Sequence, residues 1–312
     1  MIDFHEQAVI VTGAGRGLGR LYAIELARRG ASVVVNDLGG SVEGNGADPS
    51  VADGVVGEIR AAGGTAVASH DSVETPEGGE AIVRCALESY GRVDAVVSNA
   101  GIFHTTSFEE LSSADWRRML RVHLDGAFHL GQPAFRAMKA QGYGRFVFIA
   151  SSAGLFGQPS SAHYAAAKAG VMGLTNVIAI EGEPHGILAN TVLPFGYSRM
   201  VTSTLGEAEA EALREASGFM RAIDPDLVVP LVTFLASRSC TLTHHNYSAC
   251  AGRFARVFVG IGAGWVADKG STPSAEDIET HLAAVSATEP FIVPTSIFDE
   301  VAGVCGRLGI TT

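Results

Sequence analysis

The sequence predicts an α/β fold: one doubly wound, mostly parallel sheet of seven strands, with helices on both faces. Two observations lead to this prediction. Short apolar runs, which are typical of buried strands, alternate along the chain with stretches of helical periodicity. A glycine-rich turn directly follows the first apolar run and opens the first helical stretch. This order is the one in which parallel sheets present backbone N–H groups to a phosphate.

Seven segments have the composition of buried strands. They cover residues 8–12, 32–37, 65–68, 93–97, 145–150, 187–193 and 256–259. The stretch after the first strand carries a helical apolar stripe of Leu18, Leu21, Tyr22 and Leu26. Because parallel strands need crossover connections, the alternation indicates helices on both faces of the sheet. The glycine turn, Asp37, Asn99 and Ser151 then lie at carboxyl ends of strands, where ligands of such sheets bind.

The chain has 312 residues, and most of them are expected to form one domain, because α/β domains reach about 250 residues undivided. We predict a dinucleotide-binding and catalytic domain over residues 1–267. Residues 268–312 form a C-terminal extension in this prediction. The sequence leaves three roles open for the extension: it covers the site, packs on its own domain, or docks on a partner subunit.

Composition excludes several classes of function. The net charge of −11 makes a nucleic-acid backbone an improbable partner. No apolar run has the length of a membrane span, and no secretory signal is recognisable. The four cysteines are scattered, as expected for reduced thiols in a cytoplasmic protein. The spacing of Cys240, His244, His245 and Cys250 matches no standard zinc motif, so we predict no metal.

The glycine turn is the first candidate binding site. It reads Gly13-Ala14-Gly15-Arg16-Gly17-Leu18-Gly19 and links the first predicted strand to a helix, so its backbone can approach a pyrophosphate. Asp37 ends the second predicted strand about 20 residues further on. A carboxylate there accepts hydrogen bonds from ribose hydroxyls and repels a 2′-phosphate, which favours NAD over NADP. Arg16 has the opposite tendency, because it can pair with a phosphate.

Tyr164 and Lys168 are the second candidate site. They are four residues apart, so on a helix their side chains share a face. The spacing predicts that the ammonium lies close to the phenol and lowers its pKa. At about 5 Å and an effective dielectric constant of about 20, the attraction is roughly 3 kcal/mol, or about two pKa units. Such a shift brings the phenol towards the range in which acid–base catalysis operates at neutral pH.

Two sets of motifs resemble a known family. The first set is Thr12-Gly13-x-x-x-Gly17-x-Gly19, Asn99-Ala100-Gly101, and Ser151 followed by Tyr164-x-x-x-Lys168. On these motifs, residues 5–265 resemble the short-chain dehydrogenase/reductase family, whose sheet is Rossmann-like. The second set includes Val35-Asn36-Asp37-Leu38-Gly39-Gly40, Asp71-Ser72-Val73-Glu74, Arg121-Val122-His123-Leu124 and Ser198-Arg199-Met200. This set is similar to the (3R)-hydroxyacyl-CoA dehydrogenase part of type 2 peroxisomal multifunctional enzymes and to stand-alone bacterial relatives, some of which act on steroids.

The resemblance implies a role for each candidate residue. Tyr164 exchanges the proton, Lys168 holds its pKa down and bonds the nicotinamide ribose, and Ser151, at the family spacing before Tyr164, bonds the substrate oxygen. The implied cofactor-binding residues are Gly13, Arg16, Gly17, Leu18, Gly19, Asp37, Asp71, Ser72, Asn99, Tyr164 and Lys168. Residues 194–224 correspond to the family's substrate lid. His123 stands where the common family pattern has Asn, and the part played by its imidazole is left open.

The sequence therefore predicts an NAD-dependent oxidoreductase that interconverts a secondary alcohol and a ketone. The resemblance favours a (3R)-3-hydroxyacyl-CoA as the substrate, with a hydroxysteroid as the alternative. A 3-oxoacyl carrier-protein reductase would use NADPH, which Asp37 disfavours. A non-catalytic NAD-binding regulatory protein is the alternative of another class, although its expected mark, a broken Ser/Tyr/Lys set, is missing here. Family members are usually oligomers, so we predict a homodimer or homotetramer.

Overall fold

The computed structural model describes residues 2–198, 207–268 and 270–309. The strands are β1 (Ala8–Thr12), β2 (Ser32–Asn36), β3 (Thr65–Ser69), β4 (Ala95–Ser98), β5 (Gly144–Ile149), β6 (Ile187–Phe195), β7 (His245–Cys250), β8 (Arg253–Val257), β9 (Ile261–Gly262) and β10 (Phe291–Ile292). The helices are α1 (Gly17–Arg28), α2 (Ser50–Ala61), α3 (Pro76–Tyr90), α4 (Ser113–Leu120), α5 (Gly126–Gln141), α6 (Ala153–Phe156), α7 (Ala162–Gly182), α8 (Glu207–Ala216), α9 (Gly218–Ala222), α10 (Val229–Ala236), α11 (Ala275–Thr280), α12 (Leu282–Val285) and α13 (Ile297–Leu308).

The central sheet has eight strands in the order β3-β2-β1-β4-β5-β6-β7-β8. Strands β1 to β7 are mutually parallel, with Val9 opposite Val33 on one side and Ala95 on the other. The order reverses direction at β1, so the crevice beyond the carboxyl ends of β1 and β4 is the expected ligand position. The predicted doubly wound α/β fold is confirmed.

The core consists of two apolar layers, one on each face of the sheet. Alternate residues of β1 enter different layers: Val9 and Val11 pack in one, and Ile10 packs in the other. Residues of α1, α2 and α10 complete the first layer, and residues of α3, α5 and α7 complete the second. No helix among the described residues is long and apolar enough to cross a membrane.

The prediction of the seventh strand was wrong. The segment predicted at 256–259 overlaps only the end of β8, and the seventh parallel strand is β7, which pairs with β6. Most side chains of β7 are only half-buried, so polar residues are tolerated there. Its sequence, His-Asn-Tyr-Ser-Ala-Cys, therefore contains no apolar run. Ala251 and Gly252 join β7 to β8, both with positive φ, as in a tight hairpin turn.

The described contacts divide the chain into two compact units, the first ending at Arg256 and the second beginning at Val257. This division falls earlier than the boundary predicted after residue 267. The second unit contains the antiparallel pair β9–β10 and three short helices, of which α11 begins with a capping box made by Ser274 and Asp277. All fully buried apolar side chains of the described residues belong to the first unit.

The predicted lid, residues 194–224, is described except for 199–206, where Arg199 and Met200 lie. Its described part forms the end of β6 and the helices α8 and α9. Tyr197 connects them: its N–H donates to the Ile223 carbonyl at 2.7 Å, and its hydroxyl donates to the Ala210 carbonyl at 3.1 Å. A lid role for this segment stays a prediction.

Candidate active site

The glycine turn leaves the end of β1 in a conformation that favours glycine. Gly13 and Gly17 have φ of 62° and 52°, in the left-handed region. A Cβ at Gly19 would overlap the carbonyl oxygen of Gly13, and one at Gly13 would lie 2.8 Å from the Ala100 Cα. The first turn of α1 therefore fits tightly under β1 and β4, with its N-terminus open to a ligand.

Asn99 braces this turn from the end of β4. Its side-chain amide donates to the carbonyls of Thr12 and Gly13, at 3.0 and 3.2 Å. In return, the Thr12 hydroxyl accepts hydrogen bonds from the N–H groups of Asn99 and Ala100. The Asn99 side chain and N–H are thus committed to the scaffold, which leaves its backbone carbonyl for the adenosine-side contact that the family resemblance implies.

A cavity of about 200 Å³ lies at this reversal of strand order. Most of the predicted cofactor residues line it: Gly13, Arg16, Gly17, Leu18, Asp37, Asp71, Ser72 and Asn99. Gly19, Tyr164 and Lys168 are not among its lining residues. The loop after β2 also contributes a wall, through Gly40, Ser41, Val42 and Gly44. The glycine cradle and the polar groups that line the cavity suit the phosphate and ribose groups of a dinucleotide.

Arg16, Asp37, Asp71 and Glu74 are the ionisable residues that line this cavity, and the first two carry the choice of dinucleotide. The Asp37 carboxylate accepts hydrogen bonds from the N–H of Gly15 at 2.8 Å and from that of Gly39 at 2.7 Å. The Arg16 guanidinium donates to the Gly40 carbonyl at 3.2 Å. Each carboxylate oxygen has a further lone pair and the guanidinium has further N–H groups, so both side chains can still contact a ligand.

The structure brings Ser151, Tyr164 and Lys168 together. Ser151 follows β5, and the other two occupy successive turns of α7, which starts at Ala162. The Ser151 and Tyr164 side chains are hydrogen-bonded to each other. The Lys168 ammonium donates to the Ile149 carbonyl at 2.6 Å and lies 5.7 Å from the centroid of the Tyr164 ring.

The charges of this group differ from the expectation. Burial raises the pKa of Tyr164, and the hydrogen bond from Ser151 offsets only part of that rise. Burial also lowers the pKa of Lys168 to about 7. Both charged forms lose hydration in the interior, and this loss exceeds the attraction between them. The expected lowering of the Tyr164 pKa by Lys168 was therefore wrong for the protein alone.

His123 is buried behind the phenol. Its Nε2 lies 2.8 Å from the Ile102 carbonyl oxygen, and its ring meets the Tyr164 ring edge to face, with centroids 5.2 Å apart. Burial, and secondarily the charge of Lys168, lower the pKa of His123 well below its usual value, so the imidazole is neutral. A Cβ at Gly101 would overlap this ring. The glycine of the Asn99-Ala100-Gly101 motif thus makes room for His123.

Some site residues were missed by sequence reasoning. Asn36 donates from its side chain to the carbonyls of Ser69 and Asp71, which fixes the loop after β3 beside the cavity. Phe103 packs edge to face on Tyr164, with centroids 5.1 Å apart. Asn36 lies within the motif at residues 35–40, but the motif assigns no role to its side chain, and Phe103 lies in none of the quoted motifs. No group of three or more His, Cys, Asp or Glu side chains in the described part of the chain is arranged to hold a metal ion.

Comparisons with known proteins agree with this architecture. The family model for short chain dehydrogenases matches residues 7–210. The chain is 40% identical to peroxisomal multifunctional enzyme A of Dictyostelium discoideum, over 97% of this chain and 65% of that protein. It is 44% identical to peroxisomal multifunctional enzyme type 2 of Mus musculus, over 85% of this chain and 33% of that protein. A short-chain type dehydrogenase/reductase of Mycobacterium tuberculosis is 40% identical over 92% of this chain and 96% of its own length.

Among solved structures, full-length peroxisomal multifunctional enzyme type 2 from Drosophila melanogaster has a TM-score of 0.80 and 30% identity, covering 99% of this chain and 50% of that one. The chain thus spans less than two thirds of these multifunctional relatives. The chain belongs to the short-chain dehydrogenase family, as an oxidoreductase of CH–OH groups that resembles the dehydrogenase part of the type 2 multifunctional enzymes.

Proposed function

We propose that this protein oxidises a (3R)-3-hydroxyacyl-CoA with NAD as the hydride acceptor. The observation on which the proposal rests is the assembly of Ser151, Tyr164 and Lys168 beside a glycine-cradled cavity, in a chain similar to multifunctional enzymes. Another relative, 39% identical over 82% of this chain, is named peroxisomal hydratase-dehydrogenase-epimerase in Saccharomyces cerevisiae. A dehydrogenase activity beside a hydratase is consistent with a hydroxyacyl substrate.

The choice of NAD rests on Asp37. Its carboxylate lines the cavity and is held in place by the Gly15 and Gly39 N–H groups, where ribose hydroxyls can donate to it. A 2′-phosphate at the same place would bring two negative groups together. Arg16 would favour the 2′-phosphate of NADP, but one of its guanidinium N–H groups already donates to the Gly40 carbonyl.

The chain's own residues account for the proton. The nicotinamide, when bound, supplies the hydride acceptor for alcohol oxidation. The Tyr164 oxygen takes the hydroxyl proton of the substrate in oxidation and returns it to the carbonyl oxygen in reduction. Ser151 donates to the substrate oxygen and stabilises negative charge that develops there. Lys168, when protonated, places its ammonium on the same helix face and can offset only part of the cost that burial imposes on the Tyr164 phenolate.

A substrate panel tests the proposal. NADH formation is followed with (3R)- and (3S)-3-hydroxyacyl-CoA esters of several chain lengths and with free hydroxysteroids, each with NAD or NADP. We expect turnover of the 3R esters with NAD. In Tyr164→Phe, kcat should fall by about a thousandfold while NAD still binds, because only the proton transfer is removed.

Each alternative has its own outcome in this panel. Faster turnover of steroids than of CoA esters supports the hydroxysteroid dehydrogenase, and a preference for NADP contradicts the role of Asp37. NAD binding without turnover of any substrate supports the regulatory protein.

A homodimer or homotetramer and a cytoplasmic location are further proposals. Exposed apolar side chains on α5 and α7, namely Phe128, Val177 and Ile180, support self-association through these helices. Light scattering after gel filtration tests the oligomer, and a single monomeric peak would contradict it. Cell fractionation tests the location, and recovery of the protein in an organelle or membrane fraction would contradict it.

A further inference from the structure

A pair of histidines lies next to Tyr164. His163 directly precedes Tyr164 on α7 and is fully buried. Its Nε2 lies 3.0 Å from the Nε2 of half-buried His104, and the two rings meet edge to face with centroids 4.5 Å apart. One imidazole must donate its N–H to the bare nitrogen of the other. The hydrogen bond therefore exists only while at least one of the two rings is neutral.

His104 belongs to residues 102–106, which follow β4 and pass over the phenol; we call them the bridging segment. Within it, the Phe103 N–H donates to the Val42 carbonyl at 2.9 Å, and the Phe103 ring packs on Tyr164. The Thr106 N–H donates to the Ser160 carbonyl at 2.9 Å. The bridging segment thus connects the loop that walls the cofactor cavity to the start of α7.

Two ring pairs join the bridging segment to α7: Phe103 with Tyr164, and His104 with His163. The histidine pair is the polar one, and Phe103 is the direct chain neighbour of His104. Loss of the histidine bond therefore frees the backbone that carries Phe103, and the face of Tyr164 loses its packing. The backbone bonds at Val42 and Ser160 limit how far the segment can move.

Titratable groups around the pair come from three elements. Asp115 of α4 acts on His163, Glu43 of the loop after β2 acts on His104, and neutral His123 lies beyond His163. Burial, followed by the nearby His104, lowers the pKa of His163, while Asp115 raises it. A second proton on the pair must enter a buried position beside an existing cation, and this costs free energy.

We propose that His104 and His163 are positioning residues whose mutual hydrogen bond holds Phe103 against Tyr164 and so orients the phenol for proton transfer. This inference rests on the proposed role of Tyr164 in proton transfer. Once the pH is low enough, below the lowered pKa of His163, that both rings carry an extra proton, neither ring has a bare nitrogen left to accept and the two rings repel each other. Phe103 then leaves Tyr164, and kcat falls while cofactor affinity is retained.

Kinetics separate this role from a merely structural one. In His104→Ala at neutral pH, we expect kcat to fall about tenfold with little change in the KM for NAD, because one buried hydrogen bond is lost away from the cofactor cavity. The double variant His104→Gln/His163→Gln can form an amide pair that does not titrate. In ketone reduction, for which Tyr164 is already protonated at acid pH, it should keep most of kcat and lose the fall in kcat at acid pH. His5→Gln, at an exposed histidine, is the matched control and should behave as wild type.

The proposal would be overturned if His104→Ala had the kcat of wild type and the same dependence of kcat on pH in the acid range. It would also be overturned if kcat of the double glutamine variant fell at acid pH as it does in wild type.

NMR of the labelled holoprotein gives a readout that needs no turnover. Nuclear Overhauser effects between the Phe103 and Tyr164 rings should weaken in His104→Ala, and in wild type as the pH falls through the titration of the pair. They should persist in the double glutamine variant at the same pH. Ring contacts unchanged in His104→Ala would refute the inference, whatever substrate the enzyme takes. An absence of turnover with the ring contacts behaving as expected would refute only the proposed function.

Discussion

Burial controls the ionisation of the Tyr164–Lys168 pair. Close to neutral pH, the raised pKa of Tyr164 keeps the phenol protonated, and the lowered pKa of Lys168, about 7, leaves much of the amine uncharged. A protonated phenol is ready to donate to a ketone oxygen. Alcohol oxidation instead requires the phenolate, so the two directions of the reaction need opposite states of the same residue.

This difference predicts opposite pH dependences for the two directions. Oxidation should speed up as the pH rises through the Tyr164 pKa, whereas ketone reduction should slow down. Ser151→Ala removes the hydrogen bond that lowers the Tyr164 pKa. In this variant, the increase of the oxidation rate with pH should therefore occur at higher pH. Profiles of kcat/KM in both directions measure this. Ser152→Ala, at the neighbouring serine, is the control, and an unchanged pH dependence of oxidation in Ser151→Ala would contradict the assignment.

Lys168 should also oppose folding at neutral pH. Its pKa of about 7 in the folded protein lies below the unfolded value of about 10.4, so the folded state binds fewer protons between these limits. Stability is then lost as the pH falls from 10 towards 7. Lys168→Met removes this cost, and we expect it to be about 2 kcal/mol more stable at pH 7 and nearly inactive, even though the bond to Ile149 is lost.

Urea unfolding at several pH values checks this prediction. The advantage of Lys168→Met over wild type should shrink as the pH rises from 7 towards 10, because deprotonating the lysine on folding costs less as the pH approaches its unfolded pKa of about 10.4. The matched control is Lys139→Met, at an exposed lysine of α5, which should show no such trend. A Lys168→Met protein less stable than wild type at every pH would contradict it.

At the scale of elements, the glycine turn shows how close packing requires glycine at position 19. Gly19→Ala places a Cβ against the Gly13 carbonyl and the Asn99 amide, both of which are fixed to β1 and β4. The turn must then open, and we expect dinucleotide binding to weaken by at least about tenfold. Titration of NADH fluorescence measures the dissociation constant.

Gly57→Ala is the matched control for this change. Gly57 lies inside α2 with open space where its Cβ would go, so the substitution should stabilise the protein by about 0.5–1 kcal/mol and leave binding unchanged. Equal NADH affinity of Gly19→Ala and wild type would show that the tight fit of the first turn of α1 is not required.

The success of sequence reasoning varied with the strength of the local signal. Strands β1 to β6 were found, because each carries a short apolar run, which is buried on both faces in the inner strands and only partly buried in edge strand β3. Half-buried β7 has no such run and was missed. The π-helical turn Arg121–Asp125, which carries His123 to the phenol, also has no sequence signature. Ser151, Tyr164 and Lys168 were predicted to act together, yet the direction of the Tyr164 pKa depended on burial that spacing alone does not specify.

At the scale of the whole molecule, buried apolar residues are distributed unequally. The two core layers run from Phe4 to Ala249 and lie wholly in the first unit. In the second unit, by contrast, large apolar side chains remain exposed, with Ile297 at 72% and Phe298 at 74%. A segment without a buried core of its own cannot fold by itself on hydrophobic grounds. We therefore propose that residues 268–312 are an extension that packs on the domain or on a partner subunit.

A chain shortened to residues 1–260 retains β8. Because both core layers and every residue lining the cofactor cavity precede its new end, it should fold cooperatively and bind NADH as wild type does. Circular dichroism, thermal unfolding and NADH titration check this, and gel filtration with light scattering shows whether the extension is needed for the oligomer. The full-length chain carrying Ile297→Ser and Phe298→Ser is the control for the loss of exposed apolar surface alone. If the shortened chain were unfolded, or folded but unable to bind NADH, the independence of the first unit would be refuted.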